Sequence, residues 1–206
     1  ATAADADTLL LQWGHSLVSV ARDASSLIPV PTVDGARRAA TVTHEGTTGD
    51  PVTEDPAVID LARDRGALGT AAFLVGLSQA MVDLTVGYVT ERKQFGQPIG
   101  SFQAVKHHLA NAALAIEFAR PATWNAAWSI AQGLPTRARD VSTAKVLAAE
   151  AADIAGRAAL QCHGAIGYTV EADLHLFQKR AWALARTWGD TAHHTDRVVQ
   201  TLRLHP

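Results

Sequence analysis

Five long stretches with helical periodicity dominate the sequence beyond Asp55, and only short turns separate them. Apolar residues recur there at three- and four-residue spacing, which is typical of helices that bury one face. We predict helices over about 57–90, 101–132, 136–161, 173–188 and 190–204, with Ser101 as the N-cap of the second. Long helices joined by short connections pack as antiparallel neighbours. This part of the chain therefore predicts an up-down helical bundle and a mainly α fold.

The beginning of the chain differs in composition, because short β-branched runs alternate there with turn residues. The predicted strands are 8–13, 16–20 and 39–44. The predicted turns lie at Pro29, Pro31 and Asp34-Gly35, and the predicted linker is 46–51. Three strands are too few to cover both faces of a sheet. We therefore expect a partial antiparallel β segment over 1–50, a bundle over 51–206, and a longer protein of which this chain is a piece.

Composition excludes some classes of partner. Hydrophobic residues make up 48% of the chain and its formal charge is -2, which leaves no basic field for nucleic acid. No apolar run approaches the roughly 20 residues that a bilayer requires, and residues 1–7 lack the pattern of a signal peptide. We therefore expect no membrane partner and a cytoplasmic location. The single cysteine, Cys162, cannot form an internal disulfide.

Two pairs of adjacent histidines, His107-His108 and His193-His194, fall on predicted helices. Consecutive side chains on a helix point about 100° apart, so the members of a pair cannot face one metal ion as an i, i+4 pair can. Neither pair has a convincing third ligand in the sequence. We predict no metal site.

A polar corner joins the first two predicted helices at 91–103 and contains arginine, glutamines, Phe95 and a Gly-x-Pro turn. Such a set can bind an anionic, partly flat ligand, because arginine pairs with phosphate, amides bind ring edges and an aromatic ring covers a face. The same residues also fit a common helix-helix turn. The corner alone leaves both interpretations open.

Two blocks of this chain resemble the acyl-CoA dehydrogenase family. The first block reads Arg92-x-Gln94-Phe95-Gly96-x-Pro98-Ile99-x-x-Phe102-Gln103. The second reads Gln161-x-x-Gly164-x-x-Gly167-Tyr168. Their order and spacing are similar to those of the family's two flavin-contacting segments, and the resemblance covers the chain from near Asp50 to its end. The chain also resembles the subunits of heteromeric actinobacterial-type members of the family.

The resemblance implies the family's C-terminal helical bundle, preceded by the second half of its central β domain. It also implies an FAD-dependent reaction that removes a proton from the α carbon of an acyl-CoA thioester and passes the β hydride to the flavin. By resemblance, the cofactor-binding residues are Arg92 and Gln94 at the pyrophosphate, Phe95 against the cofactor, Gln103 near the adenosine, and Gln161 with the Gly164 backbone. In such enzymes these contacts reach the flavin of a neighbouring subunit, so the resemblance implies an oligomer.

The position of the catalytic base departs from the family pattern. In most members the base is a Glu before a Gly-Thr pair, and the ungapped match puts Trp188 in its place. Some members carry the base on the first helix of the bundle, at a position that falls near Gly66 here, with Arg65 and Ala67 beside it. Neither tryptophan nor glycine can accept the proton. A position where many members carry a substrate-binding arginine is Ala67 here, which weakens the expectation that this chain itself binds acyl-CoA.

The nearest carboxylate to the missing base is Asp190, which is a weak candidate. An Asp that follows a glycine and opens a helix is also typical of an N-cap. Moreover, Asp is one methylene shorter than Glu, and a base must come within hydrogen-bonding range of the carbon it deprotonates. Asp64 is weaker still.

Three functions remain after this reading. The first is a subunit of a heterotetrameric acyl-CoA dehydrogenase whose base lies on an unlike partner chain. The second is a non-enzymatic structural partner, and the third is an active homomer that uses Asp190 as its base. The retained cofactor residues argue against the second and the missing base argues against the third. We predict the first, a dimer of dimers with a second acyl-CoA-dehydrogenase-like chain, and leave open whether its substrate carries a fatty acyl or a steroid side chain.

Overall fold

Strands come first along the chain and helices follow, and the computed structural model describes residues 3–44 and 49–202. The described strands are β1 Thr8–Trp13, β2 Ser16–Ala21, β3 Ser26–Pro29, β4 Ala40–Thr43, β5 Asp50–Thr53, β6 Lys93–Gln94 and β7 Gln97–Pro98. The described helices are α1 Pro56–Glu91, α2 Gln103–Ala131, α3 Arg137–His163, α4 Leu174–Ala185 and α5 Thr191–Leu202. The chain divides into two compact units, Ala1–Arg63 and Asp64–Pro206, and the boundary falls within α1. The division at residue 50 stays a prediction.

The first unit contains antiparallel strands in two small sheets, ordered β1-β2-β5 and β3-β4. Leu9 and Val20 face each other across β1 and β2, and both are buried. The sequence predicted a turn at Pro29 and a linker at 46–51. The turn was wrong, and so was the end of the linker, which the structure describes as a strand. Pro29 ends β3, where a missing amide hydrogen is tolerated at the edge of a two-stranded sheet. Residues 50 and 51 belong to β5, whereas 45–48 lie outside the described residues.

The predicted helical bundle is confirmed, with changes at the helix ends. Ser101 is not the cap of α2: its hydroxyl donates to the Pro98 carbonyl oxygen at 2.7 Å within a 3-10 turn, and α2 starts after Phe102 without a side-chain cap. The helix predicted to reach 188 ends at Ala185, and it cannot include Trp188, whose backbone φ is +61°. The described part of α5 ends at Leu202.

The core of the second unit is built mainly from small and aliphatic side chains. Helix α3 packs against α2, α4 and α5, and alanines cover most of its buried face. Leu74 and Met81 of α1 and Ile116 of α2 are fully buried in the same core. Because the small side chain of alanine lets helix backbones approach closely, α3 can pack against three neighbouring helices.

Helix α1 corrects an expectation about membrane segments. By length and composition alone it is apolar enough to cross a membrane, so the prediction that no run approaches this length was wrong. Alanines and glycines spaced among aliphatic residues sustain its apolar character over 36 residues. Ala71, Leu74 and Met81 are nevertheless fully buried among the other helices. The core helices of soluble bundles share this composition, so the match is weak evidence for a membrane span.

A buried carboxylate joins three helices of the bundle. Asp64 of α1 is fully buried, and its two oxygens accept hydrogen bonds from Arg137 Nε of α3 at 2.8 Å and from Arg197 Nη2 of α5 at 3.0 Å. Both arginine side chains are about three-quarters buried, since their exposed fraction is 26%. Charges taken out of water stabilise a fold only when they are paired in good geometry. Asp64 is therefore a structural residue that fixes α1 against α3 and α5.

We expect Asp64→Asn to lower the free energy of unfolding by about 3–5 kcal/mol, because it leaves two largely buried guanidinium groups without their anion. Asp60→Asn is the matched control, since Asp60 pairs with Arg63 at the surface at 3.3 Å and such pairs contribute at most about 1 kcal/mol. Urea unfolding followed by the helical circular dichroism signal measures both. Equal losses in the two variants would contradict this role of Asp64.

Candidate functional site

The chain leaves α1 through a two-residue hairpin formed by β6 and β7. Lys93 pairs with Pro98 and Gln94 pairs with Gln97 across this hairpin. The turn between them has positive φ at both residues, +53° at Phe95 and +81° at Gly96. Glycine adopts this conformation freely, but an aromatic residue does so at a cost in conformational energy. The hairpin holds Phe95 in a strained conformation with 92% of its surface exposed.

Backbone contacts anchor this hairpin to the end of α1. The Ile99 amide donates to the Arg92 carbonyl oxygen at 2.8 Å, and Phe102 meets the Phe95 ring edge-to-face at 6.2 Å between centroids. Gly100 lies so close to α1 that a Cβ there would be 3.0 Å from the Val89 carbonyl oxygen. The hairpin is therefore a fixed projection of the bundle.

The second block is joined to the first by a ring contact between α1 and α3. The rings of Tyr88 and His163 are stacked, with centroids 4.5 Å apart and an interplanar angle of 14°. The Tyr88 hydroxyl also donates to the His163 carbonyl oxygen at 3.4 Å. Tyr88 lies one turn before Arg92, and His163 lies two residues after Gln161. The two sequence blocks therefore meet at one end of the bundle.

All six predicted cofactor residues lie at this end and are exposed. They are Arg92, Gln94 and Phe95 after α1, Gln103 at the start of α2, and Gln161 and Gly164 at the end of α3. The set combines a guanidinium, side-chain amides, an aromatic ring and the backbone of a glycine with φ +63°. These groups suit the anionic pyrophosphate and flat rings of a dinucleotide such as FAD. Their roles as cofactor contacts stay predictions.

Trp188 and Gly66, the two positions where the sequence led us to look for a base, touch each other. The indole ring of Trp188 lies on the α1 backbone at Gly66, where a Cβ would come within 2.4 Å of the indole Cε2. No L side chain fits at position 66 while the ring is in place. Positions 66 and 188, more than a hundred residues apart in the chain, therefore contact each other, and neither carries a carboxylate.

Two buried side chains hold the loop that carries Trp188. Lys145 Nζ of α3 donates to the carbonyl oxygens of Ala185 at 2.7 Å and Gly189 at 3.0 Å. His194 Nε2 of α5 lies 3.0 Å from the Trp188 carbonyl oxygen. Because a carbonyl only accepts, Nε2 carries the proton of a neutral ring, and Nδ1 accepts from the Ser142 hydroxyl at 3.1 Å.

Burial governs the titration of both groups. Burial lowers the pKa of Lys145 to about 8, while the negative charge of Asp190 acts in the opposite direction. Burial lowers the pKa of His194 to about 4; the hydrogen bond to the Trp188 carbonyl opposes this shift, and the nearby charges of Lys145, His193 and Arg197 contribute to it. His194 is therefore neutral at pH 7, in agreement with its hydrogen bonds.

Asp190 makes the contact expected of a helix cap. Its Oδ1 accepts a hydrogen bond from the backbone amide of His193 at 2.9 Å, at the start of α5. This hydrogen bond lowers the pKa of Asp190, which makes the carboxylate a weaker proton acceptor. Asp190 as a base stays a weak hypothesis.

The remaining polar candidates add no further site. Within residues 3–44 and 49–202, no three His, Cys, Asp or Glu side chains are grouped so that they could hold a metal ion. Cys162 is buried, and burial raises the pKa of its thiol. Asp64 is committed to its two arginines.

Sequence reasoning missed four residues that position this end of the bundle and the Trp188 loop: Tyr88, Lys145, His163 and His194. Tyr88 had a usable signal, because it lies one helical turn before Arg92 on the same face. Lys145 and His194 had none, because a lysine among alanines or a histidine in a pair is normally found at the surface.

Comparison with known proteins agrees with this geometry. A model of the "Acyl-CoA dehydrogenase, C-terminal domain" family matches residues 58–202. The chain belongs to the acyl-CoA dehydrogenase family. It is 39% identical over 158 residues to acyl-CoA dehydrogenase IpdE2 of Mycobacterium tuberculosis, covering 77% of this chain and 46% of that protein. It is 37% identical over 196 residues to IpdE2 of Mycolicibacterium smegmatis, covering 95% of this chain and 56% of that protein.

The fold is also that of solved acyl-CoA dehydrogenase structures. The ChsE4-ChsE5 complex from Mycobacterium tuberculosis superimposes with a TM-score of 0.88 at 22% identity, over all of this chain and 58% of that one. At this identity the likeness shows the fold alone. The chain spans about half the length of the acyl-CoA dehydrogenases it matches, so it represents one part of a family architecture. The predicted family membership is confirmed.

The buried neutral His194 predicts a specific pH dependence. Between pH 6.5 and 4 the unfolded chain binds a proton at this histidine and the folded chain does not, so stability falls as the pH falls through this window. The slope from this group reaches at most about 1.4 kcal/mol per pH unit. We expect His194→Asn to remove that part of the slope in urea unfolding measured between pH 4 and 7.

The matched control is His193→Asn, since the His193 side chain is exposed next to the same position. This control should keep the slope of the parent chain. If the parent chain, His194→Asn and His193→Asn lose stability equally steeply on acidification, the slope does not come from His194.

Proposed function

We propose that this chain is the subunit of a heteromeric, FAD-dependent acyl-CoA dehydrogenase that completes a partner's flavin site and has no base of its own. One contrast carries the proposal. The polar residues at the ends of α1 and α3 are exposed and anchored, whereas the two base positions hold Trp188 and Gly66. A chain with these features can help to bind the cofactor but cannot take the substrate proton.

The residues of the exposed end have distinct tasks in this proposal. Arg92 forms no ion pair with the described residues, so its guanidinium is available to neutralise a pyrophosphate. Gln94, Gln103 and Gln161 supply amide donors and acceptors, and the Gly164 backbone allows close approach of a ligand. Phe95 covers an apolar face of the ligand, which gives a reason for its strained conformation.

The chemistry divides between the two chains. When bound, FAD accepts the hydride that leaves the β carbon of the acyl-CoA thioester. The α proton must pass to a carboxylate within hydrogen-bonding range of the α carbon. An indole only donates a hydrogen bond and a glycine has no side chain, so the carboxylate belongs to the partner.

Unlike subunits are known with this fold, since the ChsE4-ChsE5 structure is described as a complex of two chains. By analogy, the partner is a second acyl-CoA-dehydrogenase-like chain, and two such pairs assemble as a dimer of dimers in the cytoplasm. A purely structural subunit would have no need of the exposed polar set. An active homomer would need Asp190 as its base, but the Asp190 carboxylate already caps the start of α5 by accepting the His193 amide.

We expect Arg92→Ala to weaken FAD binding by the assembled complex about 10- to 150-fold, because a hydrogen bond to a charged group contributes about 1.5–3 kcal/mol. Lys93→Ala is the control, since Lys93 is also exposed and adjacent but is not among the predicted cofactor contacts. Equilibrium titration of the coexpressed apo-complex with FAD gives both dissociation constants. Equal affinities in the two variants would show that Arg92 is only a charge at a helix end.

A second test locates the base. We expect Asp190→Asn to keep the rate of flavin reduction by acyl-CoA within a few fold, because Asn is also a good N-cap and preserves the start of α5. Loss of a general base would lower that rate by about 10²–10⁴-fold. Stopped-flow bleaching of the flavin absorbance in the assembled enzyme measures it. A loss beyond about a hundredfold at full flavin content would defeat the assignment of this chain as the base-free subunit.

A further inference from the structure

Helix α2 carries an apolar stripe on the side that faces away from the core. Its buried residues, such as Ile116 and Thr123, lie on the other side of the helix. The exposed stripe consists of Leu114, Phe118, Pro121, Trp124 and Trp128, and its four large side chains are between 57% and 66% exposed. We call these five residues the α2 stripe. A continuous apolar face of this kind at a protein surface is typical of a site where another molecule binds.

The spacing of the α2 stripe is the same in both directions along the helix. From Leu114 to Trp128 the successive intervals are four, three, three and four residues, and Pro121 is the centre. A mean interval of about 3.5 residues is that of the seam along which two helices pack in a coiled coil. Because the pattern is symmetric, two copies of α2 can pack antiparallel about a two-fold axis at Pro121. Phe118 of each copy then lies level with Trp124 of the other, and Leu114 lies level with Trp128.

Polar groups beside the α2 stripe fit the same arrangement. The indole N–H of Trp124 makes no hydrogen bond with the described residues. Glu117 lies seven residues earlier on the same side of the helix. In the two-fold packing, the levels of Glu117 in one copy and Trp124 in the other differ by only about 1.5 Å along the helix axis. The Glu117 carboxylate can therefore accept a hydrogen bond from the indole of the other copy, and the reverse contact forms by symmetry.

The charge beside the α2 stripe favours a second copy over a membrane surface. Glu117 pairs with Arg120 of its own copy at 3.0 Å, so this flank carries no net charge. Two copies therefore approach each other without repulsion there. A helix that lies on a membrane surface instead has lysines and arginines along its polar face.

The exposed area of the α2 stripe suits the centre of a protein interface. Aromatic side chains bury about 150–250 Å² each when fully enclosed, so three rings at 59–66% exposure offer roughly 300–450 Å² per copy. A stable interface buries about 800 Å² on each partner. The α2 stripe thus supplies about half of that area from one helix. Ligand pockets are concave, whereas the stripe is the outer side of a helix.

We propose that two copies of this chain pair through the α2 stripe, antiparallel about a two-fold axis at Pro121, and that this contact joins two unlike pairs into a dimer of dimers. The second half of this inference rests on the proposed function. Pro121 lies about 27 Å along α2 from Gln103, so the contact is remote from the predicted cofactor residues. Losing it should divide the assembly without releasing flavin.

The first test measures the mass of the coexpressed assembly by sedimentation velocity. We expect two of each chain in the parent assembly and one of each in Trp124→Glu, because the new carboxylate enters an apolar seam beside Glu117 of the other copy. Flavin per unlike pair should stay unchanged. Trp182→Glu is the matched control, since Trp182 is a tryptophan on α4 with 51% exposure outside the stripe, and it should keep the parent mass. Two of each chain in Trp124→Glu, or the same division in Trp182→Glu, would overturn the proposal.

A charge exchange tests whether the stripe meets a second copy of itself. Phe118→Lys alone should also halve the mass. The double variant Phe118→Lys with Trp124→Glu should restore two of each chain, because the two-fold packing then places a cation level with an anion on both sides of the axis. If the stripe instead met the unlike chain, the double variant would be no better than either single variant. That result would overturn the pairing of two copies.

The same samples separate this inference from the proposed function. A flavin-loaded homomer of this chain would refute the proposed function itself. A parent assembly of only one of each chain, with full flavin, would refute only the pairing through the α2 stripe. Separation of the unlike chains with loss of flavin in Trp124→Glu would also refute it, because the stripe would then lie between the unlike chains.

Discussion

The arrangement of the bundle depends on one buried ion pair, between Asp64 and the guanidinium groups of Arg137 and Arg197. It connects α1, α3 and α5 through a carboxylate that is fully buried. Asp64 lies two residues before Gly66, and Arg197 lies one helical turn after His194. The ion pair therefore sets the positions of the two helices that enclose the Trp188 loop. Loss of these contacts would loosen α1 against α3 and α5, the helices that contact the Trp188 loop through Gly66, Lys145 and His194.

The second unit consequently presents two regions of opposite character. At the ends of α1 and α3, the stacked Tyr88 and His163 bring exposed donors together around a projecting Phe95. At the loop before α5, buried Lys145 and His194 hold a tryptophan against a bare helix backbone. In the proposed function, the first region contacts a cofactor shared with another subunit, and the second takes no part in proton transfer.

Much of this could be predicted from the sequence, because helical periodicity and the two motif blocks are local signals. The helices, three of the strands and the family membership followed from them. Strands β3 and β5 were missed because Pro29 and Pro51 indicate turns unless their sheet partners are known. The conformation of Phe95 and the contact of Trp188 with Gly66 depend on tertiary structure. No local sequence pattern predicts that positions 66 and 188 contact each other.

The central claim is that this chain completes a flavin site together with an unlike subunit. Its most direct test is native mass spectrometry, combined with flavin absorbance, of the full-length protein expressed alone and together with a second acyl-CoA-dehydrogenase-like chain. We expect little flavin in the protein alone, and an assembly of unlike chains with bound flavin after coexpression. A homomer of this chain alone, fully loaded with flavin and active on acyl-CoA, would contradict it.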